Sequence, residues 1–196
     1  MDPRQLLLDL LEEFAPYDEQ ENESSQKIKD FVLTHPDCFG HYALPGHITG
    51  SALVIDREYE NTLLTHHKKM NMWLQFGGHS DDHPVVVDTA IREAWEESGL
   101  DDIRLSSLGN SIFDVDVHTI PAHGQMPEHT HYDVRFLLIA SKEDQCMVSP
   151  ESNELAWIRL EDVVKYNDRP ELVRMVEKVI RLRNSGILSP SHDHTL

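Results

Sequence analysis

Residues 90–100 read Ala90-Ile91-Arg92-Glu93-Ala94-Trp95-Glu96-Glu97-Ser98-Gly99-Leu100, and they follow a Gly77-Gly78 pair. The spacing predicts a helix that stops at Gly99, a residue free to take the left-handed conformation a helix end needs. Successive residues of a helix turn by about 100°. Glu93 is therefore an i,i+3 neighbour of Glu96 and an i,i+4 neighbour of Glu97. The three carboxylates share one arc, where they repel one another. A hard divalent cation, which prefers oxygen ligands, would relieve that repulsion. The plainer alternative is a solvated acidic face. Arg92 stands four residues before Glu96 and can pair with it. Val87, Ile91, Ala94 and Trp95 make up the opposite arc, an apolar stripe suited to burial.

This segment resembles the box of the Nudix hydrolase family, G-x5-E-x7-R-E-U-x-E-E-x-G-U, in which U is a bulky apolar residue. Gly78 takes the first position and Arg92 to Leu100 match the tail, with Ala94 small for its slot. Pro84 falls where the isolated Glu belongs, and Phe76 stands where a Pro often precedes the glycines. The strand pattern around the box extends the resemblance from residue 45 to residue 165.

The resemblance implies an α/β (α+β) fold, a Nudix-like α/β/α sandwich with a mixed β-sheet and, here, an N-terminal helical extension. It implies a divalent-metal-dependent hydrolase that cleaves a diphosphate linkage in a nucleoside diphosphate derivative: a nucleotide sugar, a dinucleotide or a nucleoside triphosphate. Mg²⁺ or Mn²⁺ would be held by Glu93, Glu97 and Glu96, with the Gly77 carbonyl as a further ligand. Arg92 would clamp the box. Family members recruit a Glu from the loop before a Trp-bearing strand. Trp157 marks that strand, making Glu151 the candidate for binding metal or activating water, with Glu154 as the alternative. Pro84 motivates a second reading, a nucleotide-binding or regulatory module of this fold with weak or no turnover. An isomerase of isoprenoid diphosphates, which shares the fold, would need a site cysteine. Cys38 precedes the sheet and Cys146 falls in a polar loop.

The bulk properties suit such an enzyme. A chain of 196 residues can bury a sizeable interior. Its formal net charge of -18 argues against nucleic acid and anionic membranes as partners and disfavours a polyphosphate substrate unless metal ions screen the site; the small nucleotide-type substrate is what the resemblance implies. Two cysteines make no disulfide framework and fit a reducing cytoplasm. No apolar run is long enough to span a membrane. Met1-Asp2-Pro3-Arg4 opens an acidic amphipathic helix and not a signal peptide.

Three zones follow: an N-terminal helical extension over 1–44, the Nudix hydrolase domain over 45–185, and a flexible C-terminal tail over 186–196 that includes His192 and His194. Leu6, Leu7, Leu10, Leu11 and Phe14 recur at helical spacing, and a second helix runs from Asp18 with Ile28, Phe31 and Val32 on one side. The pair packs on the main domain or serves as a lid or as a dimerisation arm, so a homodimer stays open. Ile48–Ile55 and Asn61–Gln75 are strand-like, two more strands lie between the box and residue 141, and Glu154–Ile158 is a short strand. Glu161–Arg183 is mostly helical, broken near Asp168-Arg169-Pro170.

The strands after the box alternate in polarity. His129, His131, Asp133 and Arg135 share one face. If residues 113–118 lie alongside, then Asp114, Asp116 and His118 join them. Such a face is either the wet side of an antiparallel sheet or the lining of a cleft. On the cleft reading Arg135, His131 and His118 contact substrate, with the Arg135 fork on a phosphate. His129-x-His131 also permits a metal site. The chain carries 13 histidines, and His79, directly after Gly78, is placed at the rim. His66-His67-Lys68-Lys69 is an exposed hairpin turn or a phosphate grip through Lys68.

Overall fold

The computed structural model describes residues 2–190. Helix α1 spans Gln5–Glu13 and α2 spans Glu19–Thr34. Strands β1 (Gly46–Asp56), β2 (Asn61–His67), β3 (Met72–Leu74) and β4 (Phe76–His79) precede the box helix α3 (Val86–Ser98). Strands β5 (Arg104–Leu105), β6 (Asp114–Ile120), β7 (His129–Ala140) and β8 (Ser152–Arg159) follow, then a 3-10 turn at Leu160–Lys165 and α4 (Pro170–Asn184). Hydrogen-bonded strands follow the order β3-β2-β1-β7-β5, with β4 beside β1, β6 beside β7 and β8 beside β2. Helices and sheet together make the α+β architecture expected from the sequence, and the two N-terminal helices are present.

The chain divides into two compact units. The first comprises residues 1–51, 77–90 and 111–136. Here the Asp18 carboxylate caps α2 by accepting from the Glu21 backbone N–H at 2.7 Å. The buried Glu21 carboxylate reaches back to the Tyr17 N–H, so two helix-start donors are satisfied reciprocally. The inner face of α2 buries Ile28, Phe31 and Val32 and packs against β6. The Phe31 ring stacks on Tyr132 of β7 with centroids 4.0 Å apart. The link from α2 to β1 is tied down by the Ile48 N–H to the Cys38 carbonyl at 2.7 Å and the Thr130 N–H to the Pro45 carbonyl at 2.9 Å.

The second unit comprises residues 52–76, 91–110 and 137–196. β2 is its centre, pairing antiparallel with β1 (Val54 opposite Leu63), β3 (His66 opposite Trp73) and β8 (Leu64 opposite Ala156). The β2–β3 pairing makes residues 68–71 the tip of a hairpin, so the His66-to-Lys69 cluster sits at a turn. The buried Asp56 carboxylate closes the β1–β2 turn, accepting from the Glu60 and Asn61 N–H groups at 2.8 and 3.0 Å and pairing with Lys142 at 2.8 Å. α4 is secured by Arg183, whose Nη1 donates to the Tyr59 carbonyl at 2.9 Å. Of the tail expected from 186, residues 186–190 are described, and Leu188 is buried with its N–H bonded to the Leu182 carbonyl, so that part is docked. Residues 191–196, including His192 and His194, lie outside the described residues.

Gly99 ends α3 at φ +66, and a Cβ there would come within 2.7 Å of the Met147 Cβ. Gly109 has nearly the same φ, +65, with open space around it. Gly99→Ala should therefore cost about 1–3 kcal/mol, and Gly109→Ala only the backbone part of that. Urea midpoints of the two variants check it, and equal losses would deny that Met147 matters.

Candidate functional site

Helix α3 forms where the box predicts it. Its buried residues, Val86, Val87, Thr89, Ala90, Ala94 and Ser98, follow helical spacing. Trp95, expected on the buried stripe, is instead 52% exposed. At about 100° per residue it lies off the Ala90–Ala94–Ser98 line and beside Glu96. The Arg92 Nη1 lies 2.8 Å from the Glu93 carboxylate and 3.2 Å from that of Glu96. One guanidinium therefore steadies two of the three acids, Glu93 as well as the Glu96 foreseen from the spacing. The Glu93 side chain is 15% exposed, against 49% for Glu96. Three carboxylates on one helix are an oxygen-only donor set, of the kind Mg²⁺ and Mn²⁺ take.

The end of α3 is fixed to the loop before β8. The Ser98 hydroxyl donates to the Ala94 carbonyl at 2.5 Å, and the Met147 N–H donates to the Ser98 carbonyl at 2.8 Å. The same loop carries the exposed Glu151, whose carbonyl accepts from the Lys68 N–H at 2.9 Å. The Lys68 ammonium donates to the Pro150 carbonyl at 2.8 Å. The second unit thus holds Arg92, Glu93, Glu96, Glu97, Lys68 and Glu151, with Lys68 resting on the loop that presents Glu151. Glu154 lies within β8, opposite His66 of β2.

Gly77, His79, His118, His131 and Arg135 belong to the first unit. A Cβ at Gly77 would collide with the Ser51 side chain, so the glycine is required by the close approach of β4 to β1. β6 and β7 are antiparallel neighbours, with Asp114 opposite Arg135, Asp116 opposite Asp133 and His118 opposite His131. The polar faces anticipated for the two strands therefore do coincide. Arg135 is not poised at a surface: it is 2% exposed, and its fork meets Asp133 at 2.7 Å, Asp114 at 3.1 Å and Asp116 at 3.3 Å. Burial opposes its charge, but the three aspartates outweigh it and hold its pKa above the ordinary value. Asp133 also accepts from the Thr49 and Ser51 hydroxyls at 2.8 and 2.7 Å. The phosphate contact foreseen for Arg135 gives way to an internal ion cluster, because register places two further aspartates against the guanidinium.

Six histidine rings, His41, His47, His79, His118, His129 and His131, adjoin that cluster through the His118–Asp116 contact. His47 is within 5.0 Å of His79, His129 and His131, centroid to centroid, and His41 is 3.9 Å from His79. His118 bonds Asp116 at 2.9 Å, and His41 bonds Asp81 at 3.0 Å. One ligand atom each from His47, His79 and His131 lie within 4.8 Å of one another. Burial, then the neighbouring ring of His79, pushes His47 down to about 4, although the Ala43 backbone pulls the other way. Burial, then His41, brings His79 to about 4, and burial with His47 brings His131 to about 2. These groups bind fewer protons folded than unfolded. Their stabilisation is present above the ordinary value of 6.5 and is lost as pH falls toward 4. In metal-free protein the urea midpoint should drop between about pH 7 and about pH 5, and a flat midpoint would reject burial of neutral rings.

Spacing within the sequence does not single out His47. The missed signal is the alternation His47-x-Thr49-x-Ser51 in β1, which puts three polar side chains on one face of a strand buried throughout. Cys38 is buried, which raises its thiol to about 11 and leaves it a poor nucleophile. Among the described residues no helix is long and apolar enough to cross a membrane.

The model of the NUDIX domain matches residues 46–179. No curated protein matches the chain. Among solved structures, an Ap4A hydrolase from C. elegans, in a binary complex, is similar at 18% identity and a TM-score of 0.56, covering 70% of this chain and 98% of its own. The dihydroneopterin triphosphate pyrophosphohydrolase of E. coli is similar at 15% identity and a TM-score of 0.53, covering 71% and 98%. At such identities the two structures speak to the fold alone. The matched stretch, well over half of the chain, carries the assignment: this protein belongs to the NUDIX family, as an enzyme of the pyrophosphohydrolase type.

Proposed function

We propose that the protein is a divalent-metal-dependent hydrolase of a diphosphate linkage in a small nucleoside diphosphate derivative. The observation that carries this reading is the α3 array, in which Glu93, Glu96 and Glu97 lie on one helix ended by Gly99 and Arg92 pairs with two of them. Glu93, Glu97 and Glu96 would hold Mg²⁺ or Mn²⁺. When bound, that ion supplies charge neutralisation for the substrate's phosphate oxygens and acidifies a coordinated water.

The protein's own part is positional. Arg92 holds Glu93 and Glu96 in place and offsets part of their mutual repulsion. The Ser98–Met147 contact fixes the loop relative to the helix end, and Lys68 braces the same loop through the Pro150 carbonyl. Glu151, exposed at the start of β8, is the group we assign to accept a proton from the attacking water. A net charge of -18 makes a polyanionic substrate unwelcome without cations, which fits an obligatory metal.

A screen against nucleotide sugars, dinucleoside polyphosphates and nucleoside triphosphates, with Mg²⁺ or Mn²⁺, tests the proposal. The expected result is release of a nucleoside monophosphate or of pyrophosphate, abolished by chelation. Nucleotide binding without turnover under every metal would favour a binding module, the reading that Pro84 in the Glu slot suggests.

A further inference from the structure

We infer that His47, His79 and His131 bind a single borderline transition-metal cation of the Zn²⁺ class, in a site built without any carboxylate of α3. All three ligands belong to the first unit, and the inference does not depend on the hydrolytic chemistry proposed for the box.

The geometry is nearly closed already. The three ligand atoms lie within 4.8 Å of one another. Tetrahedral zinc with bonds of about 2.0–2.1 Å places neighbouring nitrogens about 3.4 Å apart, so each has to move by less than about 1 Å. The rings are carried by strands, His47 on β1, His79 at the end of β4 and His131 on β7, and rigid elements make precise sites.

His47 supplies the decisive observation. It is fully buried, and neither ring nitrogen makes a hydrogen bond of good geometry. A native interior rarely leaves two polar atoms of one side chain unsatisfied, and when it does an ion or a water is the usual reason. Its ring neighbours are three more imidazoles, and the one backbone group that favours its protonated form, at Ala43, is outweighed by burial. Neutral imidazole nitrogens carry the lone pairs a metal requires.

The outer contacts resemble the supports of a metal centre. His129 donates through Nδ1 to the Pro127 carbonyl at 2.9 Å and meets His131 Nε2 at 3.3 Å through its other nitrogen. His41, whose ring lies tilted against that of His79, is oriented by Asp81. Such second partners set ring orientation around metals. An all-imidazole set disfavours Mg²⁺ and Ca²⁺ and suits zinc, copper, nickel or iron. Three protein ligands leave a fourth position for water or a ligand oxygen. The chain would then sort cations by hardness, oxygen donors on α3 for one class and nitrogen donors here for the other.

The test uses untagged, full-length protein freed of metal by dialysis against chelator. Addition of Co²⁺ should give the visible absorption of a tetrahedral site, saturating at one equivalent and displaced by one equivalent of Zn²⁺. X-ray absorption should show imidazole nitrogens in the first shell. His79→Asn and His131→Gln should each weaken Zn²⁺ binding by about 100-fold or more, beyond the cost of an altered outer partner. Glu97→Gln should leave the Co²⁺ spectrum intact. Circular dichroism of each variant separates a lost ligand from a lost fold. If both histidine variants fail to fold, the wild-type absorption shell decides alone. The inference is overturned by the absence of the tetrahedral band, by an oxygen-dominated shell, by a band that survives His131→Gln, or by one that disappears with Glu97→Gln or with His192→Ala and His194→Ala.

Discussion

Arg135→Met is expected to lower the unfolding free energy by about 3–5 kcal/mol, the cost of stranding buried charges that have lost their partner. The methionine fills much of the same volume, so packing contributes little to the loss. What is lost is the buried guanidinium that faces Asp114, Asp116 and Asp133 at 2.7–3.3 Å. The signature is a pH dependence. Stranded carboxylates take up protons more readily folded than unfolded, so the variant should recover stability, relative to wild type, as pH falls. Adding Asp114→Asn should restore part of the loss, a coupling that a cavity effect would not show. Urea denaturation of the four proteins of this cycle measures it. A loss below about 1 kcal/mol, within the range of exposed pairs, would mean that the cluster is hydrated and weak.

Glu97→Gln should reduce kcat/KM for the diphosphate substrate by about 10³-fold, the rate equivalent of about 4 kcal/mol. Glutamine keeps the shape of the side chain and removes its charge. The concentration of Mg²⁺ or Mn²⁺ giving half-maximal activity should rise in parallel, while the urea midpoint stays near that of wild type. Glu151→Gln separates the roles. If Glu151 takes the proton from water, its variant loses the acidic limb of the pH–rate profile and keeps the metal titration midpoint. Unchanged turnover and metal dependence in Glu97→Gln would remove the α3 assignment altogether.

The parts of this molecule set by local chemistry were open to reading in the chain. Arg92, Glu93, Glu96 and Glu97 fall on one helix because their spacing is helical, and Gly99 ends that helix because a left-handed φ is needed there. Alternation alone placed Asp114, Asp116, Asp133 and Arg135 on matching faces. Leucine periodicity and the Asp18 cap gave the two N-terminal helices. The misreadings are all non-local. Trp95 is apolar and adjacent to Ala94, yet which arc is buried depends on what packs against it. Arg135 looked like a phosphate ligand because two of its three carboxylate partners come from β6, whose register a single strand does not announce. The histidine cluster draws on β1, β4 and β7, and no spacing within one segment reveals it.

The stacking of Phe31 on Tyr132 has a practical corollary. The family match begins at residue 46, yet α2 lays its apolar side directly on the strands that bear the aspartate cluster and the histidines. A chain cut back to the matched stretch would leave Tyr132 and the back of β6 bare to solvent. The leading helices thus act as wall rather than porch, and whatever the imidazoles hold depends on the 45 residues ahead of the family signature.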